Sequence, residues 1–236
     1  MIVVRALGIL VLLLCSILLK AQEVKYIDLS VVSQRTELRH PPAPQCGTGV
    51  CGGYGVGSVA DGAPETRDPH AIGVYLLHVS PAELTTSKPF EADFRVLNSG
   101  LAPIELPVSP HVADLQPKDE SKAFSYFSLA LVVSIEGDVR HVAFAIAELY
   151  GATDHEGTML TLRPGEWITV RAKLTPRYSP DDTGTINLLG GFWLRRNAFV
   201  PHPGGSGVSV ENLYPHVTPT PPISVRVVVQ DDRPKH

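Results

Sequence analysis

From Ala71 onward, apolar and polar side chains alternate with a period of two, the spacing of a strand with one face buried. Phe90, Ala92, Phe94 and Val96 alternate with Glu91, Asp93 and Arg95, and Ile168, Val170, Ala172 and Leu174 alternate with Thr169, Arg171 and Lys173. Ile72, Val74, Leu76 and His78 alternate with Gly73, Tyr75, Leu77 and Val79, which predicts a strand apolar on both faces. Further strands are predicted at Ile104, Leu106 and Val108, at Ile186 to Leu194, and at Ile223 to Val229. Pro103, Pro107 and Pro110 confine the first of these to a sheet edge, because proline has no N–H to give to a ladder. A strand before all of them is expected from Val24 to Val32, with Ile27, Leu29 and Val31 on one face. No segment carries a sustained apolar period of 3.6 with helix caps.

Turn chemistry fits between these strands. Phe124 to Ile135 and Val139 to Leu149 flank Glu136-Gly137-Asp138, a hairpin pattern. Asn98-Ser99-Gly100 reads as a turn. Arg163-Pro164-Gly165-Glu166 has proline and then glycine at the centre of a type II turn, where glycine supplies the positive φ. Two glycine- and proline-rich segments, Arg39 to Pro69 and Asn197 to Pro222, are expected as long loops, and loops of that length in a compact domain are either functional or unordered. The pattern predicts an all-β chain built as an antiparallel sandwich or barrel.

Phe90 to Val108 with its Asn98-Ser99-Gly100 turn resembles the early strands of immunoglobulin-like domains in exported bacterial proteins. Leu162-Arg163-Pro164-Gly165-Glu166 with the strand to Leu174 is similar to a proline–glycine–glutamate hairpin of such domains. The resemblance covers Ala71 to Gln230 and implies an immunoglobulin-like antiparallel β-sandwich. There is no cysteine–tryptophan–cysteine spacing of the antibody type, and a fold of this kind carries no function by itself.

The N-terminus adds a compartment. Arg5 precedes an uncharged run from Ala6 to Leu19 that is apolar except for Ser16, followed by Lys20-Ala21 and polar Gln22-Glu23. A basic start, roughly 7–15 apolar residues and a small residue describe a secretory signal peptide, and the run is shorter than the ~20 residues of a spanning helix. Residues 1–21 are therefore read as a signal peptide and the protein as secreted or periplasmic, with the membrane a partner only if that segment is uncleaved. Residues 22–70 form a first strand and the glycine- and proline-rich loop, 71–230 the sandwich, and 231–236 a polar tail. Of the 20 basic residues, Arg5 and Lys20 leave with the signal, so 18 basic stand against 24 acidic ones, a net charge of −6. That balance, without a basic stripe, argues against a nucleic-acid partner.

Cys46 and Cys51 are the only cysteines after the signal, with Gly47 and Gly49 between them. In an oxidising compartment a pair this close is expected to form a disulfide, closing a loop whose constraint is worth about 2 kcal/mol. A redox pair would have two intervening residues at a helix start, and a zinc site would need His40 or His70 at ligand spacing.

Enzyme signatures are not found. Gly204-Gly205-Ser206-Gly207-Val208 fails the nucleophile-elbow pattern. Gly55-Val56-Gly57 has neither the strand nor the helix of a dinucleotide site. Asp154-His155-Glu156 lacks the second histidine of a zinc protease, and Asp181-Asp182-Thr183-Gly184 lacks the oxygen spacing of a calcium loop. No cofactor is implied. Trp193, Arg195 and Arg196 are the candidate binding residues: if Phe192 and Leu194 face the core, Trp193 and Arg195 face outward, and Trp and Arg dominate binding hot spots. The competing reading is that Trp193 covers the sheet. Trp167 is similarly placed beside Ile168. The expectation is a non-enzymatic extracytoplasmic module for an unidentified protein or glycan partner. A small secreted enzyme or redox/metal protein using the Cys46/Cys51 loop, and a protease-inhibitor-like sandwich, are the alternatives.

Overall fold

The computed structural model describes residues 21–32, 71–86, 88–115, 124–137, 143–176, 184–202, 205–217 and 221–228, and for residues 199–202 and 205–217 it describes the backbone alone. Among these residues the chain is all-β. Its strands are β1 (Gln22–Asp28), β2 (Ile72–Ser80), β3 (Glu83–Thr85), β4 (Phe90–Asn98), β5 (Ile104–Pro107), β6 (Phe124–Ile135), β7 (Ala143–Gly151), β8 (Met159–Leu162), β9 (Glu166–Leu174), β10 (Gly184–His202), β11 (Gly205–Val217) and β12 (Ile223–Val228). The one helical element described is a 3-10 turn, Val112–Leu115.

A four-stranded sheet has the order β1-β9-β4-β2; β2, β4 and β9 are antiparallel neighbours, and β1 joins parallel to β9. A six-stranded sheet has the order β3-β12-β10-β6-β7, with β11 also on β10. It is antiparallel except where β3 meets β12. The chain crosses from one sheet to the other after β2, at the cis Ser80–Pro81 peptide. β5 and β8 form a third, two-stranded sheet.

The period-two residues of both larger sheets meet in one apolar core. Phe94 and Val96 of β4, Ile168 and Val170 of β9, Leu129 and Leu131 of β6 and Phe192 of β10 are all buried in it. Their alternates on β4 and β9 reach solvent at least in part. Gly190 occupies an inward position of β10, and a Cβ there would lie 2.8 Å from the backbone nitrogen of Leu76. The missing side chain is what lets β10 and β2 come this close. At the β8–β9 turn Gly165 has φ of 82° and the Glu166 N–H donates to the Arg163 carbonyl at 3.0 Å, the closure expected of a type II turn. Asn98 ends β4 fully buried. Its Nδ2 donates to the carbonyls of Ala102 (2.8 Å) and Leu162 (2.9 Å), and its Oδ1 accepts from the Gly100 N–H, so one amide fixes the turn and ties it to β8.

Three sequence expectations are corrected. The first strand ends at Asp28 and not at Val32. The Asp28 carboxylate accepts the backbone N–H and the hydroxyl of Ser30, an Asx-type turn that takes the chain out of the sheet, and Val31 is exposed while Ile27 and Leu29 are buried. In β2 the alternation breaks at a bulge between Leu76 and His78, where one extra residue shifts the phase. Leu77 and His78 are therefore both exposed, and Val79 enters the core. Finally, Asn197 to Pro222 is not a long loop. Residues 197–202 continue β10, and β11 pairs back along it from His202↔Gly205 to Gly191↔Val217. The prolines that suggested a loop are tolerated because β11 has β10 as its only strand neighbour among the described residues, so Pro215 sits on an edge. The segment Arg39 to Pro69, including Cys46 and Cys51, lies outside the described residues, as do residues 1–20.

Candidate functional site

Trp193, Arg195 and Arg196 all lie on β10, between β6 and β11. Phe192 and Leu194 are buried in the core, so Trp193 and Arg195 are on the outer face of the six-stranded sheet. There the register sets Trp193 beside Ala130 and then Glu148, and Arg195 beside Ser128 and then Tyr150. Arg195 is not a free cation. Its Nη2 donates to Oε1 of Glu148, and the other carboxylate oxygen of Glu148 accepts the Tyr150 hydroxyl at 2.5 Å. Burial, and next the neighbouring Glu148 charge, push the Tyr150 hydroxyl well above the ordinary tyrosine range, so it stays a donor. Two residues along β10, Asn197 Nδ2 donates to Ser128 Oγ at 3.0 Å with both side chains buried.

This face is also roofed at its Tyr126–Tyr150 end. Val112 and Leu115 of the 3-10 turn pack with Tyr126, Tyr150 and Ala152, and Ser109 exchanges two backbone hydrogen bonds with Tyr150. Trp193 is half-buried beside Ala130, which is fully buried. Arg196 lies on the other face of β10, beyond its last core residue, and is exposed. The three candidates are thus divided: one cation is held in a structural ion pair, one is exposed on the opposite face, and the tryptophan stands half-buried beside Ala130. Glu148 and Tyr150 carry no sequence signal as partners of Arg195, because only the register of β10, β6 and β7 brings them to it.

The outer face of the four-stranded sheet is built differently. Tyr26, Thr169, Arg95 and Tyr75 form one continuous row across β1, β9, β4 and β2. In the adjoining row Trp167 lies opposite Glu23 on one side and Leu97 on the other. Arg95 and Trp167 are diagonal neighbours, and the guanidinium carbon stands 5.0 Å from the centroid of the Trp167 ring, in cation–π range. The Arg95 Nε is buried without a hydrogen-bond partner. The ring of Tyr75 leans over Gly73 of the same strand, with its Cε2 2.8 Å from where a Cβ would be. In the next row Arg171 grips Asp93 through both carboxylate oxygens, at 2.8 and 2.9 Å, which pushes the Arg171 guanidinium further up. Asp28, in line with that pair, is held below the ordinary carboxylate range chiefly by its hydrogen bonds from Ser30. Tyr26 is 51% exposed, and Val24 and Leu77 at the two margins are exposed as well.

Among the described residues no three His, Cys, Asp or Glu side chains gather as a metal set would. Asp154-His155-Glu156 forms part of the turn between β7 and β8. His155 Nδ1 pairs with Asp154 at 2.9 Å, which lowers the Asp154 carboxyl, and Thr158 Oγ1 donates to the carbonyls of Ala152 and His155. No helix among the described residues is long and apolar enough to cross a membrane. Residues 181–183 lie outside the described residues.

Neither a protein-family model nor a curated protein sequence matches the chain. Among solved structures it is similar to an alkylpurine DNA glycosylase of Pseudomonas fluorescens bound to DNA containing an abasic-site analogue, at 11% identity and a TM-score of 0.28, over 67% of this chain and 30% of that one. It is also similar to Spo0M, a sporulation control protein of Bacillus subtilis, at 12% identity and a TM-score of 0.23, over 61% of this chain and 49% of that one. The chain spans less than half the length of either, and at these scores neither likeness bears on function.

Proposed function

We propose that the chain is an exported, non-enzymatic binding module of immunoglobulin-like sandwich topology, which meets its partner on the solvent face of the four-stranded sheet. The topology is supported by strand order. β2, β4 and β9 take the places of strands A, B and E, and β6, β10 and β12 those of C, F and G, with β7 beside C. β1 stands where strand D would be, but parallel to its neighbour. Export is supported by the basic start and apolar run of residues 1–21.

The observation that carries the binding reading is the set Trp167, Arg95, Tyr75 and Tyr26, fixed on four adjacent strands with no described element packed over it. Binding surfaces favour Tyr, Trp and Arg, and side chains set on rigid strands lose little entropy when a partner arrives. On the six-stranded sheet Arg195 and Tyr150 are already engaged with Glu148, and this moves the site away from Arg195. Immobilised protein is to be offered envelope extract and culture supernatant of its source cells, in wild-type, Trp167→Ala and Trp193→Ala forms. The expected result is that capture is lost with Trp167→Ala and kept with Trp193→Ala. The reverse pattern would return the site to the six-stranded sheet, and capture indifferent to both changes would sink the sheet-face reading.

A further inference from the structure

We infer that the solvent face of the four-stranded sheet is a seat for a neutral oligosaccharide, an inference that rests on the binding reading above and names its ligand class. A sugar ring offers two surfaces at once: a flat C–H face that is apolar, and a rim of hydroxyls that both donate and accept. A receptor for it needs aromatic rings standing among planar hydrogen-bonding groups that are already held in place. Tyr26, Tyr75 and Trp167 supply rings over a sheet roughly 14 Å wide from β1 to β2. Between them stand Thr169 and the Arg95 guanidinium fixed over Trp167, and the Asp93–Arg171 pair flanks the tyrosine row on the side away from Trp167.

Charge narrows the ligand further. The outward register positions carry four carboxylates (Glu23, Asp28, Glu91, Asp93) against three cations (Arg95, Arg171, Lys173). A polyanion would meet four like charges and gain little from counterion release, and a strongly basic peptide would meet three. A protein partner is disfavoured on a separate ground. A stable interface buries roughly 800 Å² per partner around a desolvated, charge-poor centre, whereas the middle of this face is charged, and stripping water from it has a high cost. Hydroxyls replace those waters bond for bond. Among the described side chains, the outer face of the six-stranded sheet has its Tyr150 and Arg195 already bonded to Glu148.

The test uses the full mature-length chain. Trp193→Phe leaves Trp167 as its one tryptophan, a reporter on the proposed seat. Fluorescence and calorimetry follow titration with neutral hexasaccharides of β-1,4-linked glucose, β-1,4-linked N-acetylglucosamine and α-1,4-linked glucose. At least one should give a saturable change in Trp167 emission, with an affinity that moves less than about twofold between low and high salt, since no counterions are released. Trp167→Ala should weaken binding by at least about tenfold, and so should Tyr26→Ala, at an exposed edge position where the fold is not at risk.

Absence of binding by all three sugars overturns the inference. So does a steep salt dependence, which would mark a charged ligand. So too does a Trp167 that iodide fails to quench before any sugar is added, which would show the face covered by the chain itself. If the sugars fail while capture still depends on Trp167, the ligand class is wrong and the binding site stands. If capture is indifferent to Trp167 as well, both fall.

Discussion

Glu148 shows how much one residue decides in this fold. It stands on an outward position of β7 and accepts from Arg195 across one intervening strand and from Tyr150 two residues along its own. Arg195 and Glu148 are each about one-fifth exposed, so the pair is mostly withdrawn from water and its partners depend on each other. The consequence for pH lies with Tyr150. Its folded pKa is raised above the ordinary 10.0, so the folded chain holds the proton where the unfolded chain begins to release it. The associated stability is fully present below pH 10 and is lost as the pH rises beyond it, by about 1.4 kcal/mol per pH unit. Tyr150→Phe should therefore flatten the alkaline limb of a stability-against-pH curve measured by urea unfolding. An alkaline limb unchanged by this substitution would show that Tyr150 is not the group responsible.

At the scale of the elements, β10 organises the six-stranded sheet. Its 19 residues pair with β6 along one side, and with β12 and then β11 along the other. The close pass at Gly190 is its tightest constraint, because the obstacle is the backbone of Leu76 and not a side chain that can swing away. Gly190→Ala should cost about 1–3 kcal/mol, the range for overpacking, and read as a lower urea midpoint with an unchanged slope. A neutral effect would mean that β2 and β10 separate freely there. Strand identity was legible wherever one face is buried. Phe90 to Val96 and Ile168 to Leu174 alternate as their sequence requires. What escaped the sequence escaped for definite reasons. A bulge at Leu76 changes phase without changing composition, and the glycine and proline of 197–222 look the same in a loop as on an edge strand. The Arg95–Trp167 contact depends on the diagonal register of β4 and β9, which no single strand encodes.

For the whole molecule, the sequence raises an expectation of export and the structure supplies the frame. β1 begins at Gln22, the residue expected to open the exported chain. Intact-mass measurement of exported protein should give a chain starting at or near Gln22 and lighter by two hydrogens for the Cys46–Cys51 bond. A mass that retains residues 1–21 would make the segment an anchor, and two free thiols would give the cysteines another role.

The parallel pairing of β1 with β9 also sets an order of assembly. Gln22 meets Glu166, and Asp28 meets Arg171, so the earliest strand must wait for some of the later ones before it has a partner. β2 and β4 are joined by a short connection and can pair almost as soon as both exist, as can β6 and β7. Contacts between residues so distant in sequence are slow to form, because the loop between them must be closed before any bond rewards it. Until β1 docks, the free side of β9 is an open row of backbone donors and acceptors, the kind of edge on which a second chain can lay a strand. In this protein β9 stays open on that side until β1 docks, as β3 stays without its ladder until β12 arrives, and each open row is a place where an unfinished molecule meets its neighbours.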